Sequence, residues 1–193
     1  MLCAGGDLSV ERLILAYRRG IFPWFSEGEP ILWWSPSPRL VLTPENFKVR
    51  KSLRQSIKKQ QLRVVINQDF AAVMQLCAST REAREGTWIS PAMQQAYRAL
   101  NDEGHGFCAA TWMGDRLVGG LYGVHLGRVL FGESMVSLVP DASKAALAAV
   151  CQEAVRHQVA LIDCQVPTSH LQSLGASLIS RTEFVEQLSQ HIP

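Results

Sequence analysis

Three apolar stretches that follow one another between residues 105 and 137 constrain the fold of this chain more than any other feature. They read HGFCAATWM, RLVGGLYGVHL and RVLFGESMV, and the turns between them fall at Gly114–Asp115 and Gly127–Arg128. Turns this short join antiparallel neighbours, because a parallel connection needs a crossover of about a dozen residues or more. The sequence therefore predicts a three-stranded β-meander.

Helices and strands alternate on both sides of this meander. The elements predicted before it are a strand at Arg39–Leu42, a helix within 47–63, a strand at 62–67, the helix DFAAVMQLC, the loop GTWIS and a helix with Ser90 as its cap and Pro91 first. Those predicted after it are a helix capped by Asp141 or Ser143, a strand at 159–166, a short helix near 170–174, the strand ASLIS and a final helix. This order is that of an acetyltransferase-like (GNAT-type) domain. The predicted class is α/β (α+β), with a mixed, largely antiparallel sheet.

The N-terminal part of the chain is rich in aromatic side chains and proline. The stretch Gly20–Arg39 holds five of the chain's fifteen aromatic residues and four of its nine prolines. Proline lacks the backbone donor and restricts the residue before it, so a long helix is excluded here. A helix is predicted before this stretch, near 7–19, and SPSP at 35–38 is a candidate boundary. We predict a small N-terminal domain at 1–37 and a catalytic domain at 38–193.

Composition narrows the class of protein. The chain has 193 residues, of which 47% are hydrophobic and 19% charged, so it can bury a core. No apolar run reaches the roughly 18 residues that a membrane span needs, and the start has neither the basic nor the apolar region of a secretion signal. Five cysteines without a CxxC pair are typical of reduced thiols. We expect a cytoplasmic protein that does not contact a membrane.

Several motifs that would identify a common chemistry are missing from the sequence. It has no Walker loop, no GxSxG elbow and no GxGxxG after a strand. The five histidines show no HExxH or other ligand spacing, so no metal site is predicted. The loop SLVPDASK after the meander lacks glycine and places Asp141 where a pyrophosphate would bind, which disfavours coenzyme A. We therefore expect no cofactor.

The stretch 47–63 contains seven basic residues and no acidic one. Val49, Leu53 and Ile57 recur every four residues, which predicts an amphipathic helix. Its polar sides carry four cations: Lys51, Arg54, Lys58 and Lys59. A solvated helix face is the ordinary explanation of a charge run, whereas a helix of one charge sign repels itself and usually meets an anion. The pattern favours nucleic acid as that anion.

Three polar residues interrupt two otherwise apolar strands. Glu133 lies in LFGESMV, and Asp163 and Gln165 alternate with Cys164 in LIDCQV. In a strand, the period of two places Asp163 and Gln165 on one face. Buried carboxylates and amides are costly unless they are hydrogen-bonded, so a structural polar network is one explanation. Three such groups in strands that we expect to be neighbours favour a functional site.

Longer motifs resemble one known family. The chain is similar to leucyl/phenylalanyl-tRNA–protein transferases in motifs that keep the same order over nearly its whole length: GGDLSxxRLxxAYxxGIFPWF, PILWWSPxPR, EGTWI, GG-x-YG, GESM, ASK and LIDCQV…HxxSLGA. Such enzymes move leucine or phenylalanine, and methionine less well, from aminoacyl-tRNA to the N-terminal Arg or Lys of a protein, which marks it for N-degron proteolysis. The resemblance implies a GNAT-like domain after a small N-terminal domain, whose upstream part this chain is expected to lack.

The resemblance also implies roles for the three polar residues. Gln165 contacts the attacking amine and assists its deprotonation, and Asp163 orients and polarises Gln165. Glu133 is similar to the residue that helps hold the free α-ammonium of the aminoacyl group. A neutral amide is a poor base, so we interpret Gln165 as an acceptor that positions the amine, in a relay through Asp163 or water. We also expect Asp163 and Glu133 to make the site anionic, which suits a cationic Arg or Lys acceptor.

Selectivity for leucine and phenylalanine requires a closed apolar cavity. The resemblance implies walls formed by Trp24, Trp88, Leu121, Leu130 (with Phe131 as a further candidate) and Val150. It also implies that Tyr17 and Trp24 flank the terminal adenosine, near Thr168. Leu130 and Val150 stand where phenylalanine is frequent in the family, and Thr168 where asparagine occurs. The preference between leucine and phenylalanine is therefore open.

In this family the basic helix corresponds to a contact with the tRNA backbone through Lys51, Arg54, Lys58 and Lys59. Phosphate contacts carry no sequence information, so the amino acid should set selectivity. The implied partners are aminoacyl-tRNA and proteins with N-terminal Arg or Lys, and we expect a monomer.

Two other functions stay open. A CoA-dependent N-acetyltransferase of the GNAT type is disfavoured by SLVPDASK, and a tRNA-binding module without activity leaves the three polar residues unexplained.

Overall fold

The computed structural model describes residues 1–85 and 87–193, of which 82–85 by their backbone alone. The helices are α1 (Val10–Arg18), α2 (Lys51–Gln60), α3 (Phe70–Glu85), α4 (Pro91–Asp102), α5 (Ala142–Arg156), α6 (Ser169–Ser173) and α7 (Arg181–His191). The strands are β1 (Cys3–Ala4), β2 (Phe22–Pro23), β3 (Leu32–Trp34), β4 (Arg39–Leu42), β5 (Leu62–Ile66), β6 (Gly106–Met113), β7 (Arg116–Leu126), β8 (Val129–Ser137), β9 (Leu161–Gln165) and β10 (Ser177–Ile179). The predicted α/β class is confirmed.

The main sheet has the strand order β10-β4-β9-β8-β7-β6-β5. The strands β6, β7 and β8 form the predicted meander, and each neighbouring pair in the sheet is antiparallel except β8 and β9. A parallel pair needs a crossover, and α5 supplies it between these two strands. The sheet is therefore mixed and largely antiparallel, as predicted.

The two largest apolar cores of the described residues lie on the two faces of this sheet, because neighbouring side chains of a strand point to opposite faces. On β7 and β8, Tyr122 and Phe131 belong to the first core, with side chains of α1, α3, α4 and α7. Leu121 and Leu130, one position earlier on the same strands, belong to the second core, with side chains of α5. The α5 helix thus covers one face, and α1, α3, α4 and α7 cover the opposite face.

The aromatic and proline-rich stretch is more regular than its composition suggests. The strands β1, β3 and β2 form a small antiparallel sheet in which Trp33 pairs with Cys3 and with Pro23. Trp33 is buried, and its ring Nε1 donates to the Gly5 carbonyl at 2.9 Å. Leu13, Trp33 and other N-terminal side chains share the first core with the rest of the chain. The domain boundary at 37/38 remains a prediction.

Most predicted elements are present, and the differences are local. Ser90 caps α4 and accepts a hydrogen bond from the Met93 backbone N–H, as predicted. The basic helix α2 begins only at Lys51, so Val49 lies outside it and the four-residue repeat overestimates the helix. Asp141 precedes α5 but its side chain makes no capping bond, because the carboxylate accepts from Lys144 at 2.7 Å instead. Gly86 of the predicted loop GTWIS lies outside the described residues.

Gly123 in β7 has no room for a side chain. A Cβ atom there would overlap the carbonyl oxygen of Phe131 and lie 2.6 Å from the Phe107 ring. We therefore expect Gly123→Ala to lower the free energy of unfolding by about 2–3 kcal/mol, measured by urea denaturation. Gly132, its partner on β8, is the matched control, since the nearest atom to its Cβ would be the Asp163 carbonyl oxygen at 3.3 Å. Equal losses in the two variants would contradict the steric explanation.

Candidate active site

The parallel strands β8 and β9 separate soon after they meet. Their register pairs are Val129–Leu161, Leu130–Ile162 and Phe131–Asp163. Just beyond the last pair, each strand has a β-bulge against its antiparallel neighbour. Glu133 is the extra residue of β8 in its pairing with β7, and Cys164 is the extra residue of β9 in its pairing with β4. Such bulges redirect side chains and are frequent next to active sites. The gap between β8 and β9 therefore brings together the polar side chains that the sequence singles out.

Glu133 is the centre of a buried hydrogen-bond network in this gap. Its Oε1 accepts from the Tyr17 hydroxyl at 2.7 Å and from Gln165 Nε2 at 2.9 Å, and its Oε2 accepts from the Tyr97 hydroxyl at 2.9 Å. The hydroxyl oxygens of Tyr17 and Tyr97 also lie within hydrogen-bond distance of each other, and because each hydroxyl carries one proton, a bond between them replaces one of the two bonds to Glu133. A carboxylate has about four acceptor positions, so this arrangement leaves room on Oε2 for one more donor.

Burial decides the protonation of Glu133. The side chain is only 7% exposed, and this burial raises its pKa to about 7, although the hydrogen bonds from Tyr17 and Tyr97 act in the opposite direction. The nearby Asp163 carboxylate raises the pKa further, and the Arg39 guanidinium lowers it. Glu133 is therefore poised to exchange a proton near neutral pH.

Gln165 ends β9 with a backbone φ of 63°, in the left-handed region. Its side chain reaches Glu133 through the bulge and this turn of the backbone, not through the regular alternation that the sequence suggested. Because an ionised carboxylate only accepts hydrogen bonds, Glu133 fixes the orientation of the Gln165 amide. The amide Nε2 faces the carboxylate, which leaves the amide oxygen to accept a hydrogen bond from a ligand.

Asp163 is completely buried and forms an ion pair with Arg39. The two carboxylate oxygens accept from the guanidinium at 2.8 and 2.6 Å, and Asp163 Oδ1 also accepts from the Gln165 backbone N–H at 2.9 Å. Asp163 thus contacts the backbone of Gln165, and its expected role of orienting and polarising Gln165 stays a prediction. The expected anionic site is wrong for this carboxylate, because Arg39 compensates its charge.

Sequence reasoning missed two residues of this network, Arg39 and Tyr97. Arg39 is 1% exposed and stands as the one charge in the apolar strand RLVL, a signal of the same kind that identified Asp163. Tyr97 lies on the apolar side of α4 with Met93 and Leu100, where periodicity alone predicts only a core side chain. A hydroxyl in that position needs a buried partner, which Glu133 provides.

The aromatic residues expected near an adenosine occupy different environments. Tyr17 is buried and packs against Phe131, with ring centroids 4.9 Å apart. Trp24 is 48% exposed and lies against Trp34 at 5.7 Å, and Trp34 Nε1 donates to the Trp24 carbonyl. Trp88 is partly buried against the first core. Among these rings, Trp24 has the largest exposed fraction and so the most surface for a ligand to cover.

The expected pocket residues divide between the two faces of the sheet. Leu121, Leu130 and Val150 are buried together in the second core, on the α5 side. Phe131 points to the opposite face and packs in the first core, so it cannot share a wall with Leu130. A cavity of about 80 Å³ is lined by Leu130 and Val150 and reaches Phe107 of β6.

The remaining predicted residues lie at the surface. Thr168 is the cap of α6, and its hydroxyl accepts from the Leu171 backbone N–H at 3.2 Å. The four cations predicted for the basic helix are all exposed on α2: Lys51, Arg54, Lys58 and Lys59. Among the described residues, no group of three His, Cys, Asp or Glu side chains is arranged to hold a metal ion. None of the described helices combines the length and the apolar character that a membrane crossing requires.

Two family models match the chain. The model described as leucyl/phenylalanyl-tRNA protein transferase matches residues 41–189, and the model of that family's N-terminal domain matches residues 6–37. Three relatives carry the name leucyl/phenylalanyl-tRNA–protein transferase. The chain is 52% identical to the one from Pseudomonas fluorescens, and the match covers 100% of this chain and 85% of the relative. It is 53% identical to the one from Chromohalobacter salexigens, and that match covers 100% of this chain and 75% of the relative. It is 50% identical to that from Nitrosomonas eutropha, with 98% and 81% covered.

Solved structures show the same fold at low sequence identity. A GCN5-related N-acetyltransferase from Anabaena variabilis aligns with a TM-score of 0.52 and 14% identity, over 86% of this chain and 41% of that one. L-PGS from Bacillus licheniformis aligns with a TM-score of 0.50 and 11% identity, over 93% of this chain and 61% of that one. These likenesses confirm the predicted GNAT-like fold, and they extend to nothing beyond the fold.

The raised pKa of Glu133 predicts a pH-dependent stability. The pKa rises from 4.5 to about 7 on folding, so between these values only the folded chain keeps the proton. The stability that this proton supplies is present at low pH and is lost as the pH rises through 7. We compare the free energy of unfolding of the wild type with that of Glu133→Gln. The wild-type value minus the variant value should be about 2–3 kcal/mol lower at pH 8 than at pH 5.

Urea denaturation at the two pH values measures this difference. The exposed Glu11→Gln serves as the control, and its difference from the wild type should stay constant. A constant difference for Glu133→Gln as well would contradict the assignment of a neutral-range proton to Glu133.

Proposed function

Since the chain belongs to the leucyl/phenylalanyl-tRNA–protein transferase family, we propose that it carries leucine or phenylalanine, and methionine less well, from aminoacyl-tRNA to proteins with N-terminal Arg or Lys. The activity of an aminoacyl-tRNA–protein transferase follows from the family. Four further points are proposed: the Arg and Lys acceptors, the assignment of site residues, action as a monomer in the cytoplasm and the marking of clients for N-degron proteolysis. The observation that carries the site assignment is the bridge from Gln165 to Glu133 across the gap between β8 and β9.

The reaction is the aminolysis of an ester. The nitrogen of the acceptor amine forms a bond to the aminoacyl carbonyl carbon, the bond from that carbon to the ribose oxygen breaks, and a proton passes from the amine to the leaving oxygen. The ester is already activated, so the enzyme mainly has to position two substrates. Positioning of this kind is worth roughly 7–11 kcal/mol of the barrier when the geometry is well defined.

Gln165 is proposed to position the attacking amine. Its Nε2 is engaged by Glu133, so the amide oxygen is the atom that accepts an N–H of the acceptor. A neutral amide cannot take the proton itself at neutral pH, which makes Gln165 an orienting acceptor and leaves the proton to water or to the ribose oxygen. Asp163 supports this role indirectly, since it fixes the backbone of Gln165 and is itself fixed by Arg39.

Glu133 is proposed to hold the free α-ammonium of the aminoacyl group. The remaining acceptor position on Oε2 suits one N–H of that ammonium, and the ionised form of Glu133 is the one that attracts it. Tyr17 and Tyr97 supply hydrogen bonds that stabilise this ionised form in a buried position. Protonation of Glu133 below about pH 7 would weaken the contact.

The second core is proposed to receive the amino-acid side chain. Leu121, Leu130 and Val150 provide an apolar wall, and the small cavity lined by Leu130 and Val150 is proposed to take the side chain. Leucine and phenylalanine gain from burial there, whereas polar side chains lose their hydrogen bonds to water.

The nucleic-acid part of the substrate is proposed to extend from the ester toward α2. Trp24, with its exposed indole, flanks the adenosine and Thr168 contacts it from the start of α6, whereas the fully buried Tyr17 acts on the site through its hydrogen bond to Glu133. The exposed cations Lys51, Arg54, Lys58 and Lys59 of α2 bind phosphates of the tRNA backbone. Such contacts are electrostatic and independent of base sequence.

A transfer assay tests the proposed function directly. Radiolabelled Leu-tRNA is incubated with otherwise identical proteins that begin with Arg, Lys or Ser, and labelled acetyl-CoA replaces Leu-tRNA in a parallel reaction. We expect leucine on the Arg and Lys proteins only, and no acetyl transfer. Gln165→Ala should lower kcat about 100-fold with little change in the KM for Leu-tRNA, because the amine loses its acceptor.

Gln190→Ala, at an exposed position of α7, is the matched amide control and should keep the wild-type kcat. Acetyl transfer without leucine transfer would overturn the proposed function in favour of an acetyltransferase. Binding of Leu-tRNA without either transfer would make the protein a tRNA-binding module.

The α2 contact has its own test in the salt dependence of tRNA binding. Each phosphate neutralised by a protein cation steepens the fall of affinity with salt, so the wild type should lose affinity for Leu-tRNA steeply. The double variant Lys58→Ala/Lys59→Ala should reduce the logarithmic slope by about one to two units, measured by filter binding between low and moderate salt. An unchanged slope would remove α2 from the tRNA interface.

A further inference from the structure

A cleft with a cationic lining lies between the start of α2, the start of α5 and the helix α6. It has a volume of about 130 Å³, and its charged and titratable lining residues are Lys48, Arg50, Asp141, Lys144 and His170. These residues come from three separate parts of the chain, so the folded structure assembles the cleft and no single sequence motif does. We refer to it as the α2–α6 cleft.

The charges of the α2–α6 cleft favour an anion. Among the residues that the structure describes, Asp141 is the one acidic residue of the lining, and its carboxylate is paired with Lys144 at 2.7 Å. Lys48 and Arg50 then remain as uncompensated charges, and both side chains are exposed at the mouth of the cleft. Partial burial and the nearby Lys144 lower the pKa of His170, so at neutral pH its ring offers a hydrogen bond more than a charge.

The position of the cleft connects two surfaces that the proposed function uses separately. On one side, Arg50 directly precedes α2, whose exposed cations face the tRNA in that proposal. On the other side, His170 belongs to α6, whose cap Thr168 lies three residues after Gln165. Arg50 also donates to the Ser173 carbonyl at 3.2 Å, which ties the two sides of the cleft together. The cleft therefore lies between the start of α2 and the helix that follows Gln165 closely in the chain.

We propose that the α2–α6 cleft binds backbone phosphates of the last nucleotides of the aminoacyl-tRNA, between the terminal adenosine at Thr168 and the acceptor stem at α2. Lys48 and Arg50 are the principal contacts, with Lys144 and His170 on the opposite wall. This proposal rests on the proposed function and adds a phosphate-binding subsite to it. The cleft selects for a single strand, because a duplex is too wide to enter between α2 and α6, whereas a single strand can bend into it.

Three leucyl esters of increasing size test this subsite: leucyl-adenosine, which has no phosphate, a leucyl-trinucleotide that ends in adenosine, and full Leu-tRNA. The variant Lys48→Ala/Arg50→Ala should raise the KM for the leucyl-trinucleotide about tenfold, because two phosphate contacts are lost. The KM and kcat for leucyl-adenosine should stay at the wild-type values. Transfer to a protein that begins with Arg is measured at fixed low salt.

The matched control removes two exposed arginines elsewhere, Arg116→Ala/Arg156→Ala, and should leave all three esters unaffected. An equal loss with leucyl-adenosine would overturn the proposal, since Arg50 would then act only by holding α6 in place. An unchanged KM for the leucyl-trinucleotide would also overturn it, and a raised KM for the acceptor protein alone would assign the cleft to that protein. Absence of transfer from every ester in the wild type would refute the proposed function itself, which is a separate outcome.

Discussion

The buried ion pair between Arg39 and Asp163 is the interaction on which the site depends. Arg39 starts β4, and its guanidinium reaches Asp163 on β9, the carbonyl of Gly20 and the rings of Phe22 and Phe184. One side chain therefore holds together the N-terminal segment, the main sheet and α7. Loss of one partner of a buried pair typically costs about 3–5 kcal/mol, because the other charge stays buried and unpaired. In this protein it would also release the backbone turn that directs Gln165.

The charges of the site fit catalysis by position better than catalysis by a strong base. Asp163 is compensated by Arg39, so it is a fixed support. Glu133, with a pKa near 7, is surrounded by donors that orient it, and Gln165 is neutral. Such a network is costly unless every member is satisfied, which explains why Tyr17 and Tyr97 contribute buried hydroxyls. An activated ester needs no stronger base, because its reaction with an amine is favourable once the two groups are aligned.

The sequence predicts the fold well where local signals and packing agree. The meander follows from apolar stretches with tight turns, and α4 follows from a serine cap, a proline and an apolar stripe. The start of α2 is less predictable, because Val49 continues the apolar repeat before the helix begins. Glu133, Asp163 and Gln165 were recognisable as polar groups in apolar strands. The geometry of these three residues could not be predicted from the sequence. It depends on two β-bulges, which arise from the pairing with neighbouring strands, and on the left-handed backbone conformation of Gln165.

The start of α5 explains how a GNAT-like fold can serve a polymeric substrate. In the sequence analysis this helix start was the place for a pyrophosphate, which would need free backbone N–H groups. Here the Ser143 N–H donates to the Ser137 hydroxyl at 2.7 Å, and Asp141 pairs with Lys144 beside it. The chain thus satisfies one of these donors internally, which leaves fewer backbone N–H groups for a pyrophosphate. The cations are instead spread along α2, a distribution that matches a chain of single phosphates better than one pyrophosphate.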